Sequence, residues 1–117
     1  MKIGELSAAT GVSVRSLRYY EDQKLLTSIR LDNGYREYSP LAIEQVQTIQ
    51  LYLTLGLSTE QISSFLHCVL KNKEAFCAEV LPIYERKLKE IDDRIVELTQ
   101  LRTNLIDRIR SIRDEQS

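Results

Sequence analysis

The sequence predicts a mainly α-helical protein with one short two-stranded hairpin and a long final helix. Three patterns predict it: two helix-length segments joined by a glycine, an Asn33-Gly34 pair between strand-like runs, and a long apolar repeat near the C-terminus. Asn-Gly is a strong short-range signal for a hairpin turn. The chain has 117 residues, of which 43% are hydrophobic, so we expect one small core extended by the long helix.

The first two helices are predicted on either side of Gly11, which can adopt the positive φ of a tight turn between helices. Residues 3–10 have helical spacing. Ser13 is a suitable N-cap for a second helix over residues 14–22, because its hydroxyl can accept from the amides of the first turn.

The second helix is predicted to have two unlike faces. One is apolar and can pack on a core, and it comprises Val14, Leu17 and Tyr20. The opposite face carries guanidinium and phenol groups, and it comprises Arg15, Arg18, Tyr19 and Asp22. Helix, turn and capped second helix form a helix-turn-helix, whose second helix presents its outer face to the major groove of DNA.

The hairpin is predicted over residues 28–38, with strands on either side of Asp32-Asn33-Gly34. A type I′ turn there requires positive φ at both Asn33 and Gly34. The hairpin would form a wing beside the second helix. Its arginine and tyrosine side chains can donate to phosphate oxygens, and they are Arg30, Tyr35, Arg36 and Tyr38.

The segments IGELSAATGVSVRSLRYYE and RLDNGYREY, at this spacing, resemble the MerR family of bacterial transcription regulators. The resemblance implies a winged helix-turn-helix that acts on double-stranded promoter DNA. It further implies that the protein bends and untwists the promoter spacer, and so affects RNA polymerase indirectly. The predicted DNA-binding residues are Ser13, Arg15, Ser16, Arg18, Tyr19, Arg30, Asn33, Tyr35, Arg36 and Tyr38.

The charge of the chain is unevenly distributed. The formal net charge is −1, yet residues 14–36 carry five basic and three acidic side chains, whereas the residues from 40 onward carry ten basic and twelve acidic ones. A modestly basic head neutralises few phosphates. We therefore expect DNA affinity to depend on dimerisation and on DNA shape.

Two further helices are predicted after the wing. Ser39-Pro40 is a typical helix start, and Gly56 a helix stop. Ser58 and Gln61 then form the pattern of a capping box that opens the next helix. Resemblance to the family implies that this pair acts as a second wing beside DNA. The alternative is that the pair only completes the core, and the sequence leaves both open.

The last segment is predicted to be a dimerisation helix. Its 4,3 repeat has one charged member, Arg102, and eight others: Tyr84, Leu88, Ile91, Ile95, Leu98, Leu105, Ile109 and Ile112. A helix over residues 82–113 would be about 48 Å long, too long to bury its stripe on a small head, so we expect a homodimer. The pattern does not decide between parallel and antiparallel pairing; the resemblance implies an antiparallel coiled coil.

Two domains follow from these patterns. Residues 1–72 would form the winged helix-turn-helix DNA-binding domain, and residues 73–117 the dimerisation helix, with no separate effector domain expected. Pro82 lacks an N–H, so it marks either a helix start or a kink in a helix that began near Glu74.

Cys68 and Cys77 are too few for a disulfide scaffold and suit a reducing compartment. With His67 they are the soft-ligand candidates of the chain, but their spacing matches no zinc motif and supplies no fourth ligand. Metal sensing and thiol redox sensing are therefore weaker hypotheses than two half-buried cysteines that act as small hydrophobic residues. We expect no bound metal and no cofactor.

Other function classes find little support. No signal peptide or run of apolar residues long enough to span a membrane is present, which predicts a soluble cytoplasmic protein without a membrane partner. With one histidine and no phosphate-binding loop, the chain is not expected to be an enzyme. The alternative function is a coiled-coil interaction module, or a regulator that forms heterodimers and lacks its own sensor.

Overall fold

The computed structural model describes all 117 residues and confirms the mainly helical fold class. Its helices and strands, in chain order, are α1 Ile3–Thr10, α2 Val14–Asp22, β1 Ile29–Arg30, β2 Arg36–Glu37, α3 Leu41–Thr54, α4 Thr59–Lys71 and α5 Val80–Gln116. A short 3-10 turn at Glu74–Phe76 lies between α4 and α5. The chain divides into two compact units, Met1–Leu81 and Pro82–Ser117.

The core of the first unit is built from α1 to α4. Leu6, Leu17, Ile49 and Ile62, one from each of these helices, are fully buried. The rings of Tyr52 on α3 and Phe65 on α4 meet edge to face, with centroids 4.8 Å apart. The pair α3 and α4 therefore contributes to the core, and its role as a second wing beside DNA stays a prediction.

Local capping explains where these helices begin and end. Gly11 has φ of 74° and its N–H donates to the Ser7 carbonyl, which closes α1. The Ser58 N–H donates to Gln61 Oε1 at 2.9 Å, and the Gln61 N–H donates to Ser58 Oγ at 3.1 Å. This reciprocal pair confirms the predicted capping box at the start of α4.

Helix α5 starts close to Pro82, as the first of the two predicted alternatives has it. It begins at Val80, so Pro82 lies in the first helical turn, where its missing N–H costs no hydrogen bond. The residues from Glu74 form the separate 3-10 turn instead of the start of a kinked helix.

The predicted seam of α5 is exposed over most of its length. From Leu88 to Ile112 its apolar members have between 41% and 64% of their surface accessible. None of the helices combines the length and the apolar character needed to cross a membrane.

Candidate nucleic-acid interface

Helix α2 has the two faces that its sequence predicts. Leu17 and Tyr20 are 0% and 6% exposed, and they anchor the helix in the core. The Ser16 N–H donates to Ser13 Oγ at 3.1 Å, which confirms Ser13 as the N-cap. The opposite face presents Arg15, Arg18 and Tyr19 to solvent.

The hairpin that follows α2 is shorter than predicted, and its turn is of another type. The Gly34 N–H donates to the Leu31 carbonyl and the Leu31 N–H to the Tyr35 carbonyl, so the loop has three residues. Gly34 has φ of 85°, but Asn33 does not have positive φ, so the predicted type I′ turn is wrong. Hydrogen bonds of this pattern fit a three-residue loop that ends in a left-handed glycine.

Asn33 is engaged within the turn itself. Its Oδ1 accepts from the Tyr35 N–H at 3.1 Å, a local interaction that favours the turn conformation. The predicted contact of Asn33 with DNA would therefore fall to its amide nitrogen.

A groove of about 910 Å³ lies between the start of α1, the outer face of α2 and the hairpin. Its basic lining residues are Lys2, Arg18, Arg30 and Arg36, and its acidic ones are Glu5 and Asp22. Tyr35 and Tyr38 also line it, so the structure brings together five of the predicted DNA-binding residues in one groove. Arg15, Ser16 and Tyr19 lie on α2 outside the groove, and Asn33 lies at the hairpin turn.

Lys2 is a basic residue that the sequence analysis missed. Its Nζ lies 6.0 Å from the centroid of the Tyr35 ring, at the outer limit of a cation–π contact. A lysine just before a helix gives no pattern that distinguishes it from any solvated lysine. Only the folded hairpin brings it to the basic groove.

Tyr38 lies in the core rather than at the surface, contrary to the predicted phosphate contact. It is 1% exposed, and its hydroxyl has no hydrogen-bond partner. Burial raises the pKa of Tyr38, and the nearby Glu21 carboxylate raises it further, while the Arg36 guanidinium lowers it. We therefore assign Tyr38 to the attachment of the hairpin to the head.

Glu21 joins α2 to the hairpin. Its Oε2 accepts from Nη1 of Arg36 in an ion pair, and its Oε1 is buried without a partner. The Glu21 side chain is 14% exposed and the Arg36 side chain 39%. In the sequence Glu21 is only one of the negative charges of residues 14–36, because its partner Arg36 lies fifteen residues away.

Cys68 and Cys77 are joined in a disulfide, so the prediction of two separate cysteines is wrong. The Asn72 N–H closes α4 on the Cys68 carbonyl, and the 3-10 turn then returns the chain, which places the two Cα atoms 5.9 Å apart. Cys77 is 4% exposed. No group of three or more His, Cys, Asp or Glu side chains is arranged to hold a metal ion.

Comparison with known families matches two overlapping parts of the chain. Residues 1–67 match the model of the MerR HTH family regulatory protein, and residues 43–108 match the model described as MerR, DNA binding. This protein belongs to the MerR family of transcription regulators.

Several HTH-type transcriptional regulators are similar to it. The transcriptional regulator HmrR of Rhizobium leguminosarum bv. viciae is 38% identical over 105 residues, which cover 90% of this chain and 81% of HmrR. The regulator CueR of Yersinia pestis is 30% identical over 91% of this chain and 76% of CueR. The regulator ZntR of Escherichia coli is 30% identical over 89% of this chain and 74% of ZntR.

Two solved structures share the MerR fold with this chain. A transcription regulator from Ralstonia metallidurans in complex with lead(II) superposes with a TM-score of 0.80 at 24% identity, over 92% of this chain and 83% of that one. HiNmlR, a MerR family regulator lacking the sensor domain and bound to promoter DNA, has a TM-score of 0.56 at 22% identity, over 92% of this chain and 86% of that one.

Proposed function

We propose that this MerR-family regulator binds an inverted repeat in promoter DNA as a homodimer. The observation that supports this most strongly is the joint exposure of Arg15, Arg18 and Tyr19 on α2 beside the basic groove that reaches the hairpin. A helix of this kind enters the major groove, while a neighbouring hairpin holds the flanking backbone.

Each element has its own part in this complex. The outer face of α2 contacts base edges or phosphates through Arg15, Ser16 and Arg18. The adjoining DNA backbone is contacted by Tyr19 and by Ser13 in the turn before α2. On the hairpin, Arg30, Asn33, Tyr35 and Arg36 hold phosphates, and Lys2 adds a further positive charge to the same groove.

The exposed apolar stripe of α5 supports the proposal that the protein forms a dimer. Its exposed apolar residues recur with the 4,3 spacing of a coiled coil, and a second copy of the same helix buries such a stripe in antiparallel packing. We place the DNA-binding domain at residues 1–72 and the dimerisation helix at residues 73–117.

Regulation would act through the DNA. Two heads joined through an α5 dimer can bend and untwist the promoter spacer, with a deformation energy of a few kcal/mol, so that the protein affects RNA polymerase without contacting it. The relatives' names describe regulators, so we propose no enzymatic activity and no cofactor for this chain.

The test is binding of the full chain to a labelled fragment of its own upstream DNA, with excess nonspecific competitor and at two salt concentrations. We expect a specific complex whose footprint has two-fold symmetry. Arg18→Ala should weaken that complex by about 1–3 kcal/mol. Binding that is only nonspecific, and lost at moderate salt, would contradict the proposal.

The matched control is Arg110→Ala. This change also removes one arginine, but from the exposed surface of α5. We expect operator affinity to stay near that of the natural protein. If both variants lost the same affinity, total charge rather than the α2 face would account for the binding.

A further inference from the structure

The hairpin has no core of its own. Each strand has two residues, and all four are exposed. Ile29 and Tyr35, its largest outer side chains, are 68% and 67% exposed. A two-stranded hairpin of this size is at best marginally stable in water, so its position must be fixed by contacts with the head.

Contacts of two kinds supply that attachment: those to the segment before α1, which include hydrogen bonds in both directions between Met1 and Tyr38 and an ion pair between the Met1 amino group and Glu37, and one to α2. At the end of the hairpin, the Tyr38 side chain is buried, and its N–H donates to the Met1 carbonyl at 2.7 Å. Within β2, the Arg36 guanidinium pairs with Glu21 in the last turns of α2. The first contact fixes the hairpin to the segment before α1, and the second fixes it to the recognition helix.

The second contact also resolves an electrostatic conflict. A free carboxylate at the position of Glu21 would repel the phosphates that the groove is proposed to receive. Pairing with Arg36 neutralises that charge, and it occupies Nη1 of the guanidinium. Because a guanidinium has five N–H donors, Nη2 and Nε of Arg36 can still donate to a phosphate.

We propose that Glu21 is a positioning residue for DNA binding, which acts through Arg36 to fix the hairpin against the recognition helix. Both elements then meet the backbone of one half-site as a single rigid surface. This inference rests on the proposed function, and it assigns a role in that function to an acidic residue that itself touches no DNA.

The test compares Glu21→Gln with the natural chain in the operator-binding assay. The amide keeps the size of the side chain but loses the charge that holds Arg36. We expect specific binding to weaken about tenfold, as for the loss of one well-placed phosphate contact. Nonspecific binding at low salt should change much less, because no positive charge has been removed. A merely structural role in the head would lower both together.

Two further variants test whether Glu21 acts through Arg36. In an Arg36→Gln background, Glu21→Gln should have almost no additional effect, since the two residues act as one pair. Asp22→Asn is the matched control, because it removes a neighbouring exposed carboxylate from the same helix. We expect it to bind slightly more tightly than the natural chain, as one repulsive charge is lost.

Three results would overturn the inference. One is a Glu21→Gln chain that binds the operator as well as, or better than, the natural chain, with a salt dependence steeper by about one released ion. Glu21 would then be a competitor for Arg36. Another is an equal loss of specific binding in Asp22→Asn, and a third is an additive loss in the double variant. If the natural chain itself formed no specific complex, the proposed function would fail instead.

Discussion

Adjacent residues in this chain have very different environments. Tyr19 is 49% exposed and Tyr20 is 6% exposed, as helix periodicity predicts for neighbours on α2. Periodicity gave no such guidance for Tyr38, because a two-residue strand is too short to establish an inward and an outward face. Its burial depends on the backbone hydrogen bond to Met1, a contact across thirty-seven positions that no local pattern indicates.

Tyr38 leads to a prediction about alkaline stability. Its folded-state pKa is raised above the ordinary 10.0, chiefly by burial, so the folded head favours the neutral phenol. This contribution to stability is fully present below pH 10, and it is lost as pH rises through the folded-state pKa. We expect Tyr38→Phe to unfold less readily at alkaline pH than the natural chain, as measured by denaturant unfolding at a series of pH values.

The control for this prediction is Tyr35→Phe. The Tyr35 side chain is 67% exposed, so the change leaves the buried phenol in place and should preserve the alkaline loss of stability. The pKa of Tyr20 is also raised by burial, so the Tyr38→Phe variant should still lose some stability at alkaline pH. Identical alkaline profiles for Tyr38→Phe and the natural chain would show that Tyr38 does not contribute.

At the level of elements, the sequence predicted what local capping determines. The bounds of α1 and α2, the Gly11 turn and the Ser58 capping box depend on hydrogen bonds that span at most a few residues. The hairpin turn was mistaken because Asn-Gly suits several loop lengths, and the choice among them depends on strand pairing. The disulfide escaped prediction because it depends on the path of the 3-10 turn between Cys68 and Cys77.

The disulfide leads to a prediction about the stability of this turn. It closes a loop with a sequence separation of 9, and the chain-entropy model gives about 2–3 kcal/mol for a loop of this size. We expect the Cys68→Ser, Cys77→Ser double variant to be less stable than the oxidised natural chain by roughly that amount. The measurement is urea unfolding of each protein with and without a dithiol reductant.

The reductant is the internal control for the disulfide. It should lower the stability of the natural chain towards that of the double variant, and leave the double variant unchanged. Equal stability of the oxidised and reduced natural chain would mean that the loop is already ordered by packing, with Cys77 held by its burial alone.

At the scale of the whole molecule, the decisive feature is the stripe of apolar seam residues on α5, which is exposed in a single chain. Eight apolar seam positions were predicted from spacing alone, and the structure leaves those from Leu88 onward largely exposed. The pattern could not predict the direction of pairing, because a 4,3 repeat is the same for parallel and antiparallel helices. The candidate site follows the same division: the outer face of α2 was predictable from one helix, whereas the contacts of Lys2 and Glu21 form only in the fold.

Dimerisation is tested by two neighbouring residues of α5. Ile95 lies on the seam and is 55% exposed in one chain, while Val96 lies one position off the seam and is 71% exposed. In a two-fold dimer, Ile95→Asp removes two buried side chains and adds two charges at the interface. We expect the dimer to weaken by at least about 3 kcal/mol, from the loss of roughly 1.5 kcal/mol or more per apolar side chain. Val96→Asp should leave it intact.

Sedimentation equilibrium of the two variants measures this difference directly, and operator binding connects it to function. Under the proposed function a single head neutralises few phosphates, so we expect affinity for the inverted repeat to require both heads of a dimer. The Ile95→Asp chain should therefore lose specific operator binding although its α2 face and basic groove are unchanged. If that chain stayed dimeric, or bound its operator fully as a monomer, the seam would not be the dimer interface, and the exposed stripe would require a different partner.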